Sequence, residues 1–201
     1  MRPINLSEEP ATQAQAAKRV CAEAGVNPAD CYQCGKCAAG CPVSESADIS
    51  CRQVIRLIQL GEFDAAVTSR MPWLCVACGT CLARCPQSVD LPALNAALCR
   101  EAARRGCAAV KEGPLFTDIF LDNVQKRGVM DETMLAARFN LSSGHLFQDA
   151  GGAPTMMARG LLSGDGYRPS DAAEVGAMIE RLRAQARAAG ASDDEAKEAQ
   201  R

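Results

Sequence analysis

One cysteine pattern occurs twice in the chain, as Cys31-Tyr-Gln-Cys34-Gly-Lys-Cys37-Ala-Ala-Gly-Cys41-Pro42 and as Cys75-Val-Ala-Cys78-Gly-Thr-Cys81-Leu-Ala-Arg-Cys85-Pro86. In each copy three cysteines are separated by pairs of residues, a fourth follows after three more residues, and a proline comes next. Cysteines this close together lie on one tight loop, while the fourth stands farther away. The repeat therefore predicts two equivalent sites built from thiols.

The spacing C-x2-C-x2-C-x3-C-P is the ligand pattern of bacterial ferredoxins. A [4Fe–4S] cubane takes one soft thiolate for each iron, and cysteine is the side chain that supplies it. Gly35 and Gly79 lack a Cβ, so backbone N–H groups can come close to the sulfides. The eight cysteines of the repeat thus predict two [4Fe–4S] clusters and one-electron transfer.

The fourth cysteine of each run is expected to serve the cluster of the other run, as it does in two-cluster ferredoxins. By this rule the first cluster is held by Cys31, Cys34, Cys37 and Cys85. The second cluster is held by Cys75, Cys78, Cys81 and Cys41. This crossing ties the two loops together and places the clusters side by side. Trp73, just before the second run, is interpreted either as a cover for a cluster or as ordinary core.

Zinc, disulfides and a thioredoxin-type pair are the other uses of closely spaced cysteines. Structural zinc closes at four ligands, and a doubled run with a trailing proline does not follow its usual spacing. Disulfides need an oxidising compartment, and the opening Met1-Arg2-Pro3 begins no apolar signal segment. A thioredoxin-type site would be a single pair beside a βαβ pattern. The iron–sulfur interpretation is therefore favoured over all three.

Composition sets limits on the class of protein. The chain has 201 residues, 48 % of them hydrophobic, with a formal net charge of −2. That balance offers no basic footprint for nucleic acid, so no nucleic-acid partner is expected. No run of apolar residues is long enough for a membrane span. We expect a cytoplasmic protein that works under reducing, low-oxygen conditions.

Four cysteines lie outside the two runs, and the sequence does not assign them a role: Cys21, Cys51, Cys99 and Cys107. Cys99 falls in an apolar helical stretch and is interpreted as a small buried hydrophobe, and Cys21 and Cys107 are interpreted in the same way. Cys51 follows the first run closely. It is interpreted as a packing residue, with a spare cluster ligand as the alternative.

Helical periodicity follows and separates the two runs, where a small ferredoxin would have strands. Helices are predicted over 11–24, over 54–60 and over 91–105, the last capped by Asp90 and ended by Gly106. We therefore predict a mainly α fold, with an α-helical ferredoxin core, two [4Fe–4S] clusters and extra N- and C-terminal helices. The predicted domains are an N-terminal helical arm over 1–30, a dicluster core over 31–107 and C-terminal helices over 108–201.

The C-terminal region carries no ligand run but several amphipathic segments. Phe116, Ile119, Phe120 and Val124 make one apolar face, and Met156 with Met157 suits an adaptable contact. Short helices of this kind cannot all bury their faces on one small ferredoxin core. We expect the region over 108–201 to dock on other proteins of a complex.

The sequence resembles the C-type subunit of heterodisulfide reductase, the HdrC family, and its bacterial relatives. The stretches that carry the likeness are the first cysteine run, the helix Arg52-Gln-Val-Ile-Arg-Leu-Ile-Gln-Leu-Gly61, and Trp73 leading into the second run. The joined pattern is more specific than the cysteine spacing, which many ferredoxin domains share. The likeness covers 31–107 and is loose beyond that range.

The resemblance implies a helical protein with two [4Fe–4S] clusters that works inside an oxidoreductase complex. Members of this family take electrons from an A-type partner, which bears flavin and clusters, and deliver them to a cysteine-rich B-type partner, which reduces a disulfide. This chain has neither a cysteine-rich motif of the B type nor a GxGxxG for a flavin. It is therefore expected to carry electrons and to have no catalytic residue that converts a substrate.

Two other functions remain open from the sequence. A free-standing soluble dicluster ferredoxin would share the cysteine runs, although a shuttle needs no long apolar-faced tail. The iron–sulfur subunit of another dehydrogenase or reductase complex would usually add a plant-type [2Fe–2S] motif or a fused cysteine-rich domain. The sequence leaves open the donor and acceptor, the direction of electron flow, the reduction potentials and the stoichiometry.

Overall fold

The computed structural model describes residues 11–148, 151–160 and 168–198. Over this part of the chain it contains ten α-helices, short 3₁₀ turns and no β-strand, so the prediction of a mainly α fold is confirmed. The helices are α1 (Ala11–Glu23), α2 (Cys51–Gln59), α3 (Phe63–Val67), α4 (Met71–Leu74), α5 (Thr80–Ala83), α6 (Leu91–Arg104), α7 (Glu112–Arg127), α8 (Glu132–Ser143), α9 (Ala153–Ala158) and α10 (Ala172–Glu198). Among the residues described, no helix is both long and apolar enough to span a bilayer.

The chain divides into two compact units, Met1–Gly113 and Pro114–Arg201. In the first unit α1, α2, α3 and α6 enclose one hydrophobic core. Its fully buried side chains include Val20, Val54, Ile55, Phe63, Leu94 and Leu98. Both cysteine runs lie in loops that lead into and out of these core helices, so packing of the core fixes where the loops begin and end.

Helix α2 begins with a capping box. The Ser50 hydroxyl accepts a hydrogen bond from Gln53 N at 3.3 Å, and Gln53 Oε1 accepts one from Ser50 N at 2.8 Å. This reciprocal pair satisfies two backbone donors at the start of the helix. It starts α2 at Cys51, three residues before the predicted start at Val54, and so places Cys51 in the first turn.

Asp48 joins the segments that flank the two cysteine runs. Its carboxylate accepts hydrogen bonds from Arg70 N at 2.8 Å and from Met71 N at 3.1 Å, at the start of α4. An acid at this place also complements the positive end of the helix. The residues after the first run are thereby held beside those that lead into the second.

The second unit packs α7 against α8 and α10. Ile119, Leu135 and Ala172 are its buried apolar residues among those described. The Asn123 amide donates to Asp131 O at 2.8 Å and accepts from Asp131 N at 3.3 Å, which fixes the turn between α7 and α8. None of the cysteines lies in this unit.

Candidate iron–sulfur site

The two cysteine loops have left-handed backbone at the same two positions, although the first then continues into a 3₁₀ turn and the second into α5. Gln33 and Ala77 occupy the same place in the two runs and have φ angles of +64° and +50°, in the left-handed region. Gly35 and Gly79, two residues later in each run, have φ angles of +84° and +74°. Non-glycine residues adopt this conformation at a cost and only where the surroundings impose it. The sequence repeat is therefore also a repeat of loop geometry.

A cavity beside the second loop is lined by cysteines from both runs. Cys75, Cys78 and Cys81 line it from the second loop, and Cys41 lines it from the first. Its remaining walls are mostly backbone and apolar side chains, among them Val43, Met71 and Pro92. The structure thus brings together the set of cysteines that the crossed pattern assigns to one cluster.

Cys85 lies near the first loop. The Tyr32 side chain is close to both Cys34 and Cys85, and partial desolvation, together with these two cysteines, raises the pKa of its hydroxyl. Arg84, next to Cys85, reaches across to the first loop, where its guanidinium occupies the space beside Gly40. The fourth cysteine of each run therefore lies toward the loop that carries the other run.

Hydrogen-bond donors surround several of the cysteine sulfurs. Gln33 Nε2 lies 3.4 Å from Cys31 Sγ, and Val89 N lies 3.3 Å from Cys85 Sγ. Such donors favour the thiolate and are one of the means by which proteins set cluster potentials. The cysteines predicted for the first cluster thus accept hydrogen bonds from both main-chain and side-chain groups.

The second loop has a hydrogen bond of its own. The Cys78 thiol donates to the Thr80 hydroxyl oxygen at 3.4 Å, and the contact with Thr80 lowers the pKa of Cys78. Cys81 differs, because burial raises its pKa to about 11. Burial of this kind disfavours a bare thiolate, which cluster iron would compensate.

Cys51 is a buried neighbour of both runs. Its side chain is 2 % exposed, lines the cavity with Cys41, and is hydrogen-bonded to Cys37. Because the Cys51 thiol donates, it lowers the pKa of Cys37 to about 6, while the hydrogen bond and burial raise the pKa of Cys51. Sequence reasoning interpreted Cys51 as packing, and the structure adds a polar contact with a predicted ligand.

The other unassigned cysteines are less involved. Cys21 is buried in the core, and Cys107 is half-buried. Burial raises the pKa of Cys99 to about 12, with a smaller effect from Cys75 nearby. A raised pKa keeps a thiol neutral and unreactive, as expected for a packing residue.

Gln59 holds the first loop on α2, a role that the sequence did not reveal. Its Nε2 donates to Pro28 O and to Cys31 O, both at 2.7 Å. Its Oε1 accepts a hydrogen bond from Gln33 Nε2 at 3.3 Å. The only sequence signal for this contact is a polar residue at the end of an amphipathic helix, which is common in solvated helices.

Trp73 packs on the core of the first unit and against Gly113, where a Cβ would lie 2.5 Å from the indole ring. Its buried Nε1 has no hydrogen-bond partner in the ranges that the structure describes. This placement favours the core interpretation of Trp73.

Asn95, on α6, is a second buried polar residue at the cavity. Its side chain is 1 % exposed, it lines the cavity with Cys41 and Cys75, and its Oδ1 has no hydrogen-bond partner within the described part of the chain. The sequence does carry a signal, since Asn95 lies one turn after Leu91 on the apolar face of α6.

The donor set fits a cubane. No three His, Cys, Asp or Glu side chains within the described ranges converge as the ligands of a single metal ion would. A cubane does not require such convergence, because each of its irons takes its own thiolate. Thiols from two loops around one cavity, with an unpartnered amide in its wall, meet the chemical requirements of a cluster.

Comparison with known proteins agrees with this chemistry. Residues 28–89 match the family model of a 4Fe-4S dicluster domain. A segment of 79 residues is 37 % identical to the C-type iron-sulfur subunit of the CoB--CoM heterodisulfide reductase of Methanopyrus kandleri. That segment is 39 % of this chain and covers 41 % of the archaeal protein. Residues 28–89 are therefore similar to a 4Fe-4S dicluster domain, and the resemblance predicted from the sequence is confirmed over the matched segment.

Proposed function

We propose that this chain is the electron-transfer iron–sulfur subunit of a heterodisulfide reductase-like complex. On this proposal it works between an A-type partner, which bears flavin and clusters, and a cysteine-rich catalytic partner of the B type. The similarity to the archaeal iron-sulfur protein supports the class of protein. The observation that carries the proposal is the cavity lined by Cys41 together with Cys75, Cys78 and Cys81.

The proposed ligand sets follow the crossed rule. One cluster would be held by Cys31, Cys34, Cys37 and Cys85, and the other by Cys75, Cys78, Cys81 and Cys41. When bound, two [4Fe–4S] clusters supply one-electron redox chemistry at each site. The shared cavity supports the second set, and the contact of Arg84, next to Cys85, with the space beside Gly40 of the first loop supports the first.

The residues around the sulfurs have three tasks in this proposal. Gln33 Nε2 and Val89 N donate hydrogen bonds to the sulfurs of Cys31 and Cys85. Gln59 fixes the main chain of the first loop, so that its sulfurs keep their positions when the charge changes. Val43 and Met71 keep water away from the cavity of the second loop.

The region over 108–201 would provide contacts with the partner proteins. Several of its large apolar side chains are exposed, most of all Leu141 at 73 % and Phe147 at 86 %. Leu146 and Met156 are also exposed. On this proposal the partner proteins cover these side chains in the complex.

Anaerobic affinity purification of the tagged full chain from its native host, with mass spectrometry of the proteins that accompany it, tests the proposed function. We expect a flavoprotein and a cysteine-rich protein in a fixed ratio to the chain. Recovery of the chain alone, with its iron, would contradict the complex and favour the free-standing dicluster ferredoxin. Recovery with a different dehydrogenase would replace the heterodisulfide reductase-like assignment.

A further inference from the structure

Asn95 differs from the other buried polar residues that the structure describes. Glu101 is paired with arginines, Ser69 donates a hydrogen bond to Ala66 O at 2.7 Å, and Asn123 uses both atoms of its amide. Asn95 is 1 % exposed, and its Oδ1 has no hydrogen-bond partner among the described residues. A buried amide without a hydrogen-bond partner destabilises the folded state. Such a cost in the middle of a core helix requires an explanation.

The position of Asn95 gives one. Its side chain forms part of the wall of the cavity that Cys41, Cys75, Cys78 and Cys81 also line. Thiolates and sulfides are acceptors only, so an amide beside them is satisfied when its NH₂ group faces them. A rotation of the amide by half a turn exchanges oxygen and nitrogen without changing the shape of the side chain. The position that holds the unpartnered Oδ1 can therefore hold the NH₂ group of Asn95, facing the sulfurs.

We propose that the Asn95 amide donates an N–H hydrogen bond to a sulfur of the cluster at the second loop, and that this bond raises the reduction potential of that cluster. The inference rests on the proposed function only in requiring that clusters are bound. Reduction adds negative charge to the cluster, and a hydrogen bond from a fixed donor is stronger to the more negative acceptor. The donor thus stabilises the reduced form more than the oxidised form.

Helix α6 makes this donor rigid. Leu91, Leu94 and Leu98 are buried on the same helix, and Asp90 caps its first turn by accepting a hydrogen bond from Ala93 N at 2.9 Å. Asn95 is thereby held at a fixed distance from the loop. A group preorganised in this way acts on the potential without the reorganisation that water would need.

The test is an EPR-monitored redox titration of the full chain with its clusters, compared with Asn95→Leu and Asn95→Asp. Asn95→Leu removes the N–H donor without adding charge, and Asn95→Asp, when ionised, replaces the donor with a negative charge that makes the same cluster still harder to reduce. We expect one cluster to become harder to reduce, with the ratio of reduced to oxidised cluster at a fixed potential falling about tenfold, or about 59 mV for one electron. The other cluster should keep its potential. Ser69→Ala is the matched control, a buried polar residue of the same unit that is not in the cavity wall.

A second measurement separates a hydrogen bond from a general loosening of the fold. Pulsed EPR of protein labelled with ¹⁵N-asparagine should detect a nitrogen coupling at the reduced cluster in the wild type and lose it in Asn95→Leu. Retained iron with unmoved potentials, an equal shift of both clusters, or loss of a cluster in both variants would each overturn the inference. A wild-type chain that binds no cluster would instead overturn the proposed function.

Discussion

The Cys51 thiol contacts a predicted ligand although it belongs to neither cysteine run. It is held in the first turn of α2 by the Ser50–Gln53 capping box, buried, and hydrogen-bonded to Cys37. A thiol donor beside a thiolate stabilises negative charge on the sulfur. A single residue outside the motif can therefore influence a site that the motif defines.

Replacement of this thiol tests that influence. In Cys51→Ala, Cys37 loses its donor, so we expect the cluster that Cys37 ligates to be harder to reduce, with the iron content unchanged. Redox titration followed by EPR measures the shift. Cys21→Ala is the control, because Cys21 is also a buried cysteine of this core and burial is the cause of its raised pKa. Loss of iron in Cys51→Ala alone would show instead that Cys51 is a ligand.

At the scale of single residues, the sequence predicts the cysteine ligands but not the residues that contact the two loops. Spacing alone identifies the eight predicted cysteine ligands, because a ligand run is local in the chain. Gln59 and Asn95 could not be assigned in this way, since each acts through contacts that form only when a helix packs beside a loop. Cys51 was noticed for its nearness to the first run, but its hydrogen bond depends on where α2 begins.

Among the helices, α1 is held on α6 by a buried acid. Glu101 has a nearly inaccessible side chain and pairs with Arg19 of α1 at 2.9 Å, and with Arg104 and Arg105 of its own helix, both at 2.6 Å. Burial opposes its charge, but the arginines, Arg105 foremost, hold the pKa of Glu101 below its usual value. The charged carboxylate thus stabilises the folded first unit.

Removal of that charge should destabilise the first unit. Glu101→Gln leaves three arginines facing a neutral amide, and we expect a loss of about 3 kcal/mol in the free energy of unfolding. Because the folded pKa is lowered, the contribution is complete above the usual value of 4.5 and is lost as the pH falls through the folded pKa. Urea unfolding should show a constant gap between the two proteins from about pH 8 to 5.5. A gap that changes within this range would contradict the assignment.

In the second unit, Gly128 lets the end of α7 approach the start of α10. Its φ is +76°, and a Cβ there would lie 2.5 Å from Ala172 Cα. Gly144, which ends α8, has a φ of +79° with nothing within 4 Å of a Cβ. The two glycines share one backbone conformation and differ only in the space around them.

Replacement of Gly128 and of Gly144 by alanine separates the cost of backbone strain from the cost of a steric clash. Gly144→Ala should lower the free energy of unfolding by about 1 kcal/mol, because alanine is strained in the left-handed conformation. Gly128→Ala adds a clash with main chain and should cost roughly 3 kcal/mol. Hydrogen exchange of α7 and α10 measures both. Equal protection in the two variants would show that Ala172 moves away without cost.

The longer helices could be predicted from periodicity, whereas the short ones could not. Helix α6 was expected over 91–105 and occupies Leu91–Arg104, because its apolar face and its Asp90 cap are local signals. Helices α4 and α5 are four residues each; α4 leads into the second run, and α5 lies within it. No periodicity exists at that length, so only the wrapping of the loop determines them.

For the whole molecule, the informative feature is the exchange of one cysteine between the two loops. Cys41 from the first loop lines the cavity of the second, while Cys85 lies near the first. The spacing rule predicts such an exchange, and the eight ligands stay a prediction until iron is measured. The sequence could not reveal that the first unit would also include α1, whose Val20 is fully buried in the same core.

Pairs of variants test the exchange by counting iron. On the crossed assignment, Cys41→Ala with Cys75→Ala removes ligands of one cluster and should leave about four irons per chain. Cys41→Ala with Cys31→Ala removes a ligand from each cluster and should leave close to none. The reverse result would assign each cysteine to its own run. Cys85→Ala provides the corresponding control. Combined with Cys31→Ala it should leave about four irons per chain, and combined with Cys75→Ala it should leave close to none.

The shared cavity also bears on how the protein matures in the cell. If each loop supplies one ligand to the cluster of the other loop, as proposed, then the first cluster that binds fixes the positions of both loops. The ligands of the second cluster are then already in place. In a chain with one cluster, the thiols of the second site would already lie close together but would hold no iron. Loading should therefore be cooperative, and native mass spectrometry of a population limited in iron should find empty chains and fully loaded ones, with few between.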